Sequence, residues 1–418
     1  MATSRRQLLA GTLGLAACRP STPAVGSARP AHPEDTGLVG TSETGLWPSD
    51  TGVETGETGA PTPAECDDDG VSVLAVLPFV GEAPRELETL SGVGLDGRYV
   101  VDLATLRTEA DLVLPSARFY VRTVIPDLLV APDPWVVRLS GLVEAAVDVT
   151  LVDLLALAVP MGVKHFECSG NTSYGGFGLQ SAAAWDGVPL ADLLDLVALS
   201  AGASHVMVVG FDNHSAGSLT SEEGASWVFP LEELGEAFLA TAMNGEALPP
   251  DHGAPVRLVV PGWYGCCQIK WVTELRLVGE TEPATTQMIE FAERTHQPGI
   301  PALARDYVPA VSERTAVVTV VESVELADGS VATRVVGLTW GGDSPVVGLR
   351  LHANGDEGLE VEFCSPVDDP RTWALWQVLW RPTAPGEYVL SLTVEVAGVP
   401  TNRLDVGYYN RTVQVVAV

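Results

Sequence analysis

Residues 165–171 read HFECSGN, and the reading of their cysteine decides the reading of the whole chain. Cys168 follows an apolar run and precedes Ser169-Gly170-Asn171, a small, turn-prone triplet. Three readings are open: a buried small hydrophobe, half of a disulfide, or a thiolate held for a soft metal. Upstream, LVDLLALAV (151–159) predicts a helix that leads into the HFECSGN strand. Downstream, WDGVPLADLLDLVALSAGA (185–203) sets apolar residues at helical spacing after Pro189. HVMVVGFD (205–212), APVRLVVPG (254–262) and IKWVTELRLV (269–278) predict strands, with an Asn-Gly turn at 244–245. VSVLAVLPFV (71–80), RFYVRTVIP (118–126) and WVVRLSGLV (135–143) also read as strand-like pieces.

Working outward, residues 71–280 are expected to form a mixed α+β domain. Residues 281–310, polar and proline-bearing, are expected as a linker. Beyond it, AVVTVVESVE (316–325), VATRVVGLTWG (331–341), VVGLRLHA (346–353), LEVEFC (359–364), EYVLSLTVEVAG (387–398) and RTVQVVAV (411–418) recur at strand spacing between Gly, Asn and Asp turns. That rhythm predicts an all-β, immunoglobulin-like sandwich over 311–418.

Composition bounds the function. The chain carries 54 Asp and Glu against 23 Lys and Arg, a net charge of −31. Such a field repels nucleic acid and anionic lipid heads, and an anionic substrate would need local arginines to overcome it. Six cysteines at Cys18, Cys66, Cys168, Cys266, Cys267 and Cys364 contain no CxxC pair, so neither a zinc site nor a disulfide scaffold is indicated. Cys266 and Cys267 are neighbours, which strains a bridge between them; both read as packing residues, as does Cys364, while Cys66 has no assigned role. His205, His214, His296 and His352 show no ligand spacing.

The N-terminus reads as an address. MATSRRQLLAGTLGLAACRPS has a twin arginine at Arg5-Arg6 and an apolar run to Ala17 too short to span a bilayer. Leu15-Ala16-Ala17-Cys18 resembles a bacterial lipobox, so 1–18 is expected as a signal. Cys18 then carries the lipid that makes the only membrane contact of an exported, periplasmic-face lipoprotein. Residues 19–70, with ten acids, two arginines and repeated DTG and ETG triplets, are expected as a disordered tether. The DTG triplets are no aspartic-protease signature, because they lie in a polar repeat and not between apolar strands.

One more stretch carries chemistry. PPDHGAPVRLVVPGWYGCCQIKW (249–271) gathers His252, Arg257 and Lys270 among glycines. Glycines let backbone N–H groups approach an anion, and the three basic side chains suit a phosphate without any GxxxxGK loop.

Taken together, FYVR (119–122), CSGN (168–171), WDGVPLADLL (185–194), GFD (210–212), MNGEALPPDHGAPVRLVVPG (243–262) and G-x₄-KW (265–271) resemble the molybdopterin-dependent oxidoreductases of the sulfite oxidase type. WALWQVLW (373–380), PGEYVLSLTV (385–394) and GYYN (407–410) resemble that family's C-terminal dimerisation domain, so the resemblance runs over about 110–418. It implies a Mo-molybdopterin cofactor, Cys168 as metal ligand, and Arg122 beside the oxyanion pocket. It implies cofactor contacts from Tyr120, Val121, Arg122, Thr123, Cys168, Asn171, Asp212, His252, Arg257, Gln268, Ile269 and Lys270. The implied activity is oxygen-atom transfer on a small substrate, sulfite oxidase-like. A reductase of sulfoxides or other oxo-acceptors, and a degenerate non-catalytic surface module, are the alternatives. Without a haem signature, electrons are expected to pass to an external carrier such as a cytochrome, and the sandwich to form a homodimer.

The chain departs from the family at three places. Arg122-Thr123-Val124 stands where the family has Arg-Asn-His, and Thr172-Ser173-Tyr174 stands where an arginine tends to follow CSGN. No tyrosine is legible over the metal: GASWVFPL (224–231) offers only Trp227, and Tyr174 and Tyr264 have no assigned place. Arg411 is a candidate second substrate arginine. The expected pocket is therefore poorer in cations than the family's.

Overall fold

The computed structural model describes residues 66, 70–82, 86–124, 132–212, 224–395 and 400–416. The expected signal, Cys18, His214 and nearly all of the tether lie outside the described residues. In chain order the first strands are β1 (Ser72–Val76), β2 (Val136–Gly141) and β3 (Val147–Thr150), then helix α1 (Leu151–Leu157). Strands β4 (Val159–Glu167) and β5 (Gln180–Pro189), helix α2 (Leu190–Leu194), and strands β6 (His205–Gly210) and β7 (Ser226–Pro230) follow. Next come β8 (Phe238–Met243), β9 (Glu246–Ala247), β10 (Arg257–Val259), β11 (Val272–Val278) and helix α3 (Thr286–Phe291). The C-terminal part holds β12 (Thr315–Glu325), β13 (Val331–Trp340), β14 (Leu349–Ala353), β15 (Leu359–Glu360), β16 (Glu362–Phe363), β17 (Ala374–Trp380), β18 (Gly386–Val394), helix α4 (Asn402–Asp405) and β19 (Arg411–Val415).

These strands form four sheets, ordered β3-β2-β11-β6-β7, β10-β8-β5-β4 with β9 on β8, β1-β12-β13-β17-β16, and β15-β14-β18-β19. The β2–β11 pair is parallel; the other strand pairs are antiparallel. In the two C-terminal sheets, β-branched pairs such as Val320–Val336 and Val321–Val335 sit across the ladder. Leu338, Leu351, Leu392 and Val413 from both sheets meet in one core.

The balance of elements corrects the α+β expectation. The protein is mostly β, and no described helix is longer than seven residues. The helix at 151–159 is present as α1, closed at its start by Thr150 and Asp153, which bond each other's side chain and backbone. The helix expected over 185–203 shrinks to α2. Residues 180–189 are instead an inner strand buried on both faces, where period cannot distinguish strand from helix. Gly187 shows why a small residue is needed there: a Cβ would stand 2.4 Å from the Leu239 carbonyl oxygen of the neighbouring strand. The described part of RFYVRTVIP, residues 118–124, gives no strand, but the end of a 3-10 turn at Ser116–Arg118 and an isolated bridge from Val121 to Tyr99. Residues 281–310 are no mere linker, since Met288, Phe291, Ala304 and Tyr307 are buried in the core of the N-terminal sheets.

The segment before the N-terminal sheets is also corrected. Strand β1 was expected with residues 71–280, yet it pairs with β12 at the edge of a C-terminal sheet. Cys66 and Cys364 are disulfide-bonded across 298 residues, which replaces the packing reading of Cys364 and gives Cys66 a role. All five residues of β1 are exposed, so little apolar burial holds it and the bond holds the chain just before it. Cys364→Ser is expected to cost about 2–5 kcal/mol and to speed amide exchange at Ser72–Val76. Thermal melts with and without reductant, together with exchange mass spectrometry, check it.

Candidate active site

Strand ends build the site. Cys168 follows the last residue of β4, and its N–H donates to the Leu179 carbonyl (2.9 Å), while the Asn171 N–H donates to the Cys168 carbonyl (2.9 Å). The thiol is therefore fixed by backbone bonds on a tight turn, and the residue is 4% exposed. Asn171 keeps that turn closed: its amide donates to the Phe177 carbonyl (2.9 Å) and accepts from the Leu179 N–H (3.1 Å). Asn171 was expected on the cofactor; it is fully buried, lines neither cavity of the site, and acts as a positioning residue. Burial pushes the Cys168 thiol up, and the Arg122 charge and the Gly170 N–H pull it back.

The remaining expected cofactor residues converge. Tyr120, Val121, Arg122, Thr123, Cys168, Asp212, His252, Arg257, Gln268, Ile269 and Lys270 line one cavity. Arg257 opens β10, Lys270 precedes β11 by two residues, and Asp212 follows β6, so three strand ends deliver the polar groups to one place. Not all of these side chains are directed at a ligand. Gln268 is held against the backbone, donating to the carbonyls of Val260 (2.7 Å) and Trp263 (3.0 Å) and accepting from the Val260 N–H (2.7 Å).

The basic trio is electrostatically uncomfortable. Arg257 lies over the rings of Phe166 (5.0 Å) and Trp185 (5.3 Å), and burial lowers it to about 10. Its Nη1 donates to the His252 carbonyl (2.9 Å), but its buried Nε has no hydrogen-bond partner. Lys270 donates to the carbonyls of Asp251 (2.8 Å) and Thr123, and burial followed by Arg257 lowers it to about 7. His252 falls to about 3 through burial, then Lys270 and Arg257; its Nε2 lies 2.9 Å from the Ser116 carbonyl, so that nitrogen carries the proton of the neutral ring. Gly253, at φ 106°, makes the close approach possible, because a Cβ there would lie 2.9 Å from the Arg257 Cβ and 3.0 Å from the Lys270 Cβ.

Beyond Arg122 a wider cavity of about 780 Å³ opens, lined by Arg98, Arg122, Arg294, Arg403, His296 and Tyr408 among others. This corrects the expectation of a cation-poor pocket, but the arginines are not the one anticipated. Arg411 is ion-paired to Glu82 (2.6 Å), donates to the Val318 carbonyl, and lines neither of these two cavities. Arg98 donates to the Arg122 carbonyl (2.8 Å), which braces the Arg122 segment. Burial and then the Arg122 charge lower Arg98 to about 10, and burial lowers Arg122 too. Arg403 donates to the carbonyls of Ser169 and Arg294, both at 2.8 Å, and so ties the Cys168 turn to the C-terminal part. Glu167, beside Cys168 and 1% exposed, strengthens that tie by accepting from Trp340 Nε1 and the Tyr409 hydroxyl, each at 2.8 Å.

The tyrosine candidates also resolve. Tyr174 is 84% exposed, Tyr264 is buried beneath Arg403 (4.8 Å), and Trp227 is a core residue of β7. The aromatic that α3 brings to the cavity wall is Phe291, together with Gln287 and Glu290. Composition hid these three inside an apparent linker. Cys266 also lines the cavity, whereas Cys267 is fully buried; their sulfurs are 3.9 Å apart and unbonded.

Residues 123–286 match the family model of the oxidoreductase molybdopterin binding domain. The chain is 26% identical over 353 residues to sulfite oxidase of Gallus gallus, covering 78% of this chain and 74% of that one. It is 26% identical over 294 residues to mitochondrial sulfite oxidase of Rattus norvegicus (64% and 52%), and 33% identical over 163 residues to NADPH nitrate reductase of Fusarium oxysporum (35% and 17%). The chain thus spans about half of the rat protein and under a fifth of the fungal one. Residues 123–286 are a molybdopterin-binding oxidoreductase domain, and the chain is similar to the sulfite oxidases beyond it. Among solved structures, the sulfane dehydrogenase SoxCD of Paracoccus pantotrophus shares the fold, with a TM-score of 0.58 at 18% identity over 80% of this chain and 90% of that one.

The residues present fit the cofactor of such an oxidoreductase. A trio of basic groups with an unpartnered Arg257 Nε calls for an anion, which a phosphate of the cofactor would supply. Cys168 offers one soft ligand in a cavity continuous with that trio. When bound, a molybdenum cofactor would supply two-electron redox chemistry. Arg257, Lys270 and Asp212 would hold and orient it, Cys168 would ligate the metal, and Phe291 and Phe119 would keep water from its flank.

Proposed function

We propose that this oxidoreductase oxidises a small sulfur oxyanion, sulfite first. The observation that carries the reading is Arg122, braced by Arg98, in the same cavity as Cys168. In a chain of net charge −31, two cations crowded together at one point concentrate an anion there. Burial and the Arg122 charge loosen Arg98's hold on its proton, burial and the Arg294 charge loosen Arg122's, and an oxyanion beside them relieves that cost. The enzyme is exported with its cofactor, lipid-anchored at Cys18, and paired with a second copy through an immunoglobulin-type sandwich. The Cys66–Cys364 bond supports the export reading, since such bonds persist in oxidising compartments. Electrons pass to an external carrier such as a basic cytochrome.

A second reading is reduction of an oxo-acceptor, favoured by the higher identity to nitrate reductases over the cofactor domain. Purified molybdenum-loaded protein separates the two. Sulfite should reduce an artificial electron acceptor, and Arg122→Gln should raise KM about tenfold or more, because a charged hydrogen bond to the anion is lost. Turnover only with nitrate or a sulfoxide and an artificial donor would replace the first reading by the second.

A further inference from the structure

We infer that Arg294 forms an outer anion-binding arm, so that the site takes a two-ended dianion: one oxyanion beside Cys168 and Arg122, and a second acidic group at Arg294. This rests on the oxyanion reading of Arg122. A four-atom oxyanion occupies little of a cavity of about 780 Å³, a volume suited to a larger molecule. Four arginines and one acid, Glu293, are among its lining residues.

Arg294 and Cys168 face the same gap. A Cβ placed on Gly170 would stand 3.9 Å from both the Arg294 Nη1 and the Cys168 Sγ, so the glycine leaves the space between them open. Arg294 is aimed by its surroundings. Its carbonyl accepts from Arg403 (2.8 Å), its guanidinium lies over the Phe291 ring (5.0 Å), and the next residue, Thr295, bonds the Phe291 carbonyl (2.9 Å). Among the described residues its one ion pair, to Glu290 at 4.0 Å, is long, and the side chain is 40% exposed. A guanidinium so held loses little freedom when it binds, and its fork geometry suits carboxylate or sulfonate. A further nearby acid, Glu313, is engaged by the Arg403 N–H (3.0 Å) and the Asn402 amide (2.8 Å), with His296 at 3.4 Å.

Calorimetry on the cofactor-loaded enzyme tests this at constant ionic strength with two unreactive probes, sulfate and ethane-1,2-disulfonate. The wild type is expected to bind the disulfonate about tenfold or more tighter than sulfate, because a second charged contact forms. In Arg294→Gln that preference should collapse towards one, and Arg294→Lys should restore part of it. If sulfate binds but the disulfonate binds no tighter, or if the preference survives in Arg294→Gln, the outer arm is refuted and the oxyanion reading stands. If neither anion binds the wild type, the oxyanion reading fails and takes the outer arm with it.

Discussion

Cys168→Ser is expected to yield a folded protein whose turnover is lower by at least about three orders of magnitude. The fold should survive because the turn is held by the Cys168 N–H and carbonyl, and by Asn171, none of which involves the sulfur. The change leaves a buried hydroxyl in place of a thiol, a cost of about 1–3 kcal/mol that a chain of this size tolerates. Function should not survive, because a serine hydroxyl is a hard, protonated group where a soft thiolate is required. Burial already raises the Cys168 thiol, against the pull of Arg122, the Gly170 N–H and Arg98, so the ligand must release a proton as the metal binds. X-ray absorption should show one fewer sulfur around molybdenum in the variant, with the metal still present. Wild-type turnover in that variant would remove Cys168 from the chemistry.

Much of the fold was legible where one face or both faces of a strand repeat cleanly. The long β-branched runs of β12 and β13 could not be anything but strands, and the Asn244-Gly245 turn, with both residues at positive φ, followed from its residue types. Misreading came where burial erases period. β5 is apolar on both faces, so Ala182, Ala183, Trp185 and Val188 fit a helix as well as an inner strand, and only the neighbours β4 and β8 decide. Strand β1 shows a different limit. Its partners on β12 lie about 250 residues downstream, and no local feature of VSVLAV specifies that pairing.

The site divides in the same way. His252, Arg257 and Lys270 sit in one compact stretch, so a phosphate site could be anticipated from residue types, whereas the place of Cys168 beside them followed only from the resemblance to the family. Arg98, Arg294 and Arg403 could not: they come from three separate stretches, and each is brought in by tertiary bonds, Arg98 through the Arg122 carbonyl and Arg403 through Ser169 and Arg294. Arg411 looked equally suitable in sequence but is claimed by Glu82. An arginine's role here depends on which acid or carbonyl it meets first, and sequence spacing does not encode that.

The cofactor-free protein is expected to gain stability as pH rises, and Lys270→Met is expected to remove much of that gain while stripping the protein of cofactor. The unfolded chain keeps the Lys270 ammonium protonated up to 10.5, the folded chain only up to about 7. Between those values unfolding takes up a proton, so stability climbs with pH across that window and is penalised in full below it. His252 adds a rise of the same sign between about 3 and 6.5. The Lys270 penalty is on the order of 2–4 kcal/mol, less than the full shift implies because the residue keeps some contact with solvent. An apolar methionine of similar length should therefore raise the melting temperature of the cofactor-free protein near pH 6 and flatten its pH profile. The same substitution removes a cation from a trio that needs a phosphate between its members, so molybdenum content after purification should fall at least about tenfold. A variant that kept its cofactor, or whose cofactor-free pH profile matched the wild type, would show that Lys270 is not strained by the want of an anion. The opposite signs of the two effects, steadier without cofactor and unable to retain it, separate a binding residue held at a cost to the fold from one that merely packs.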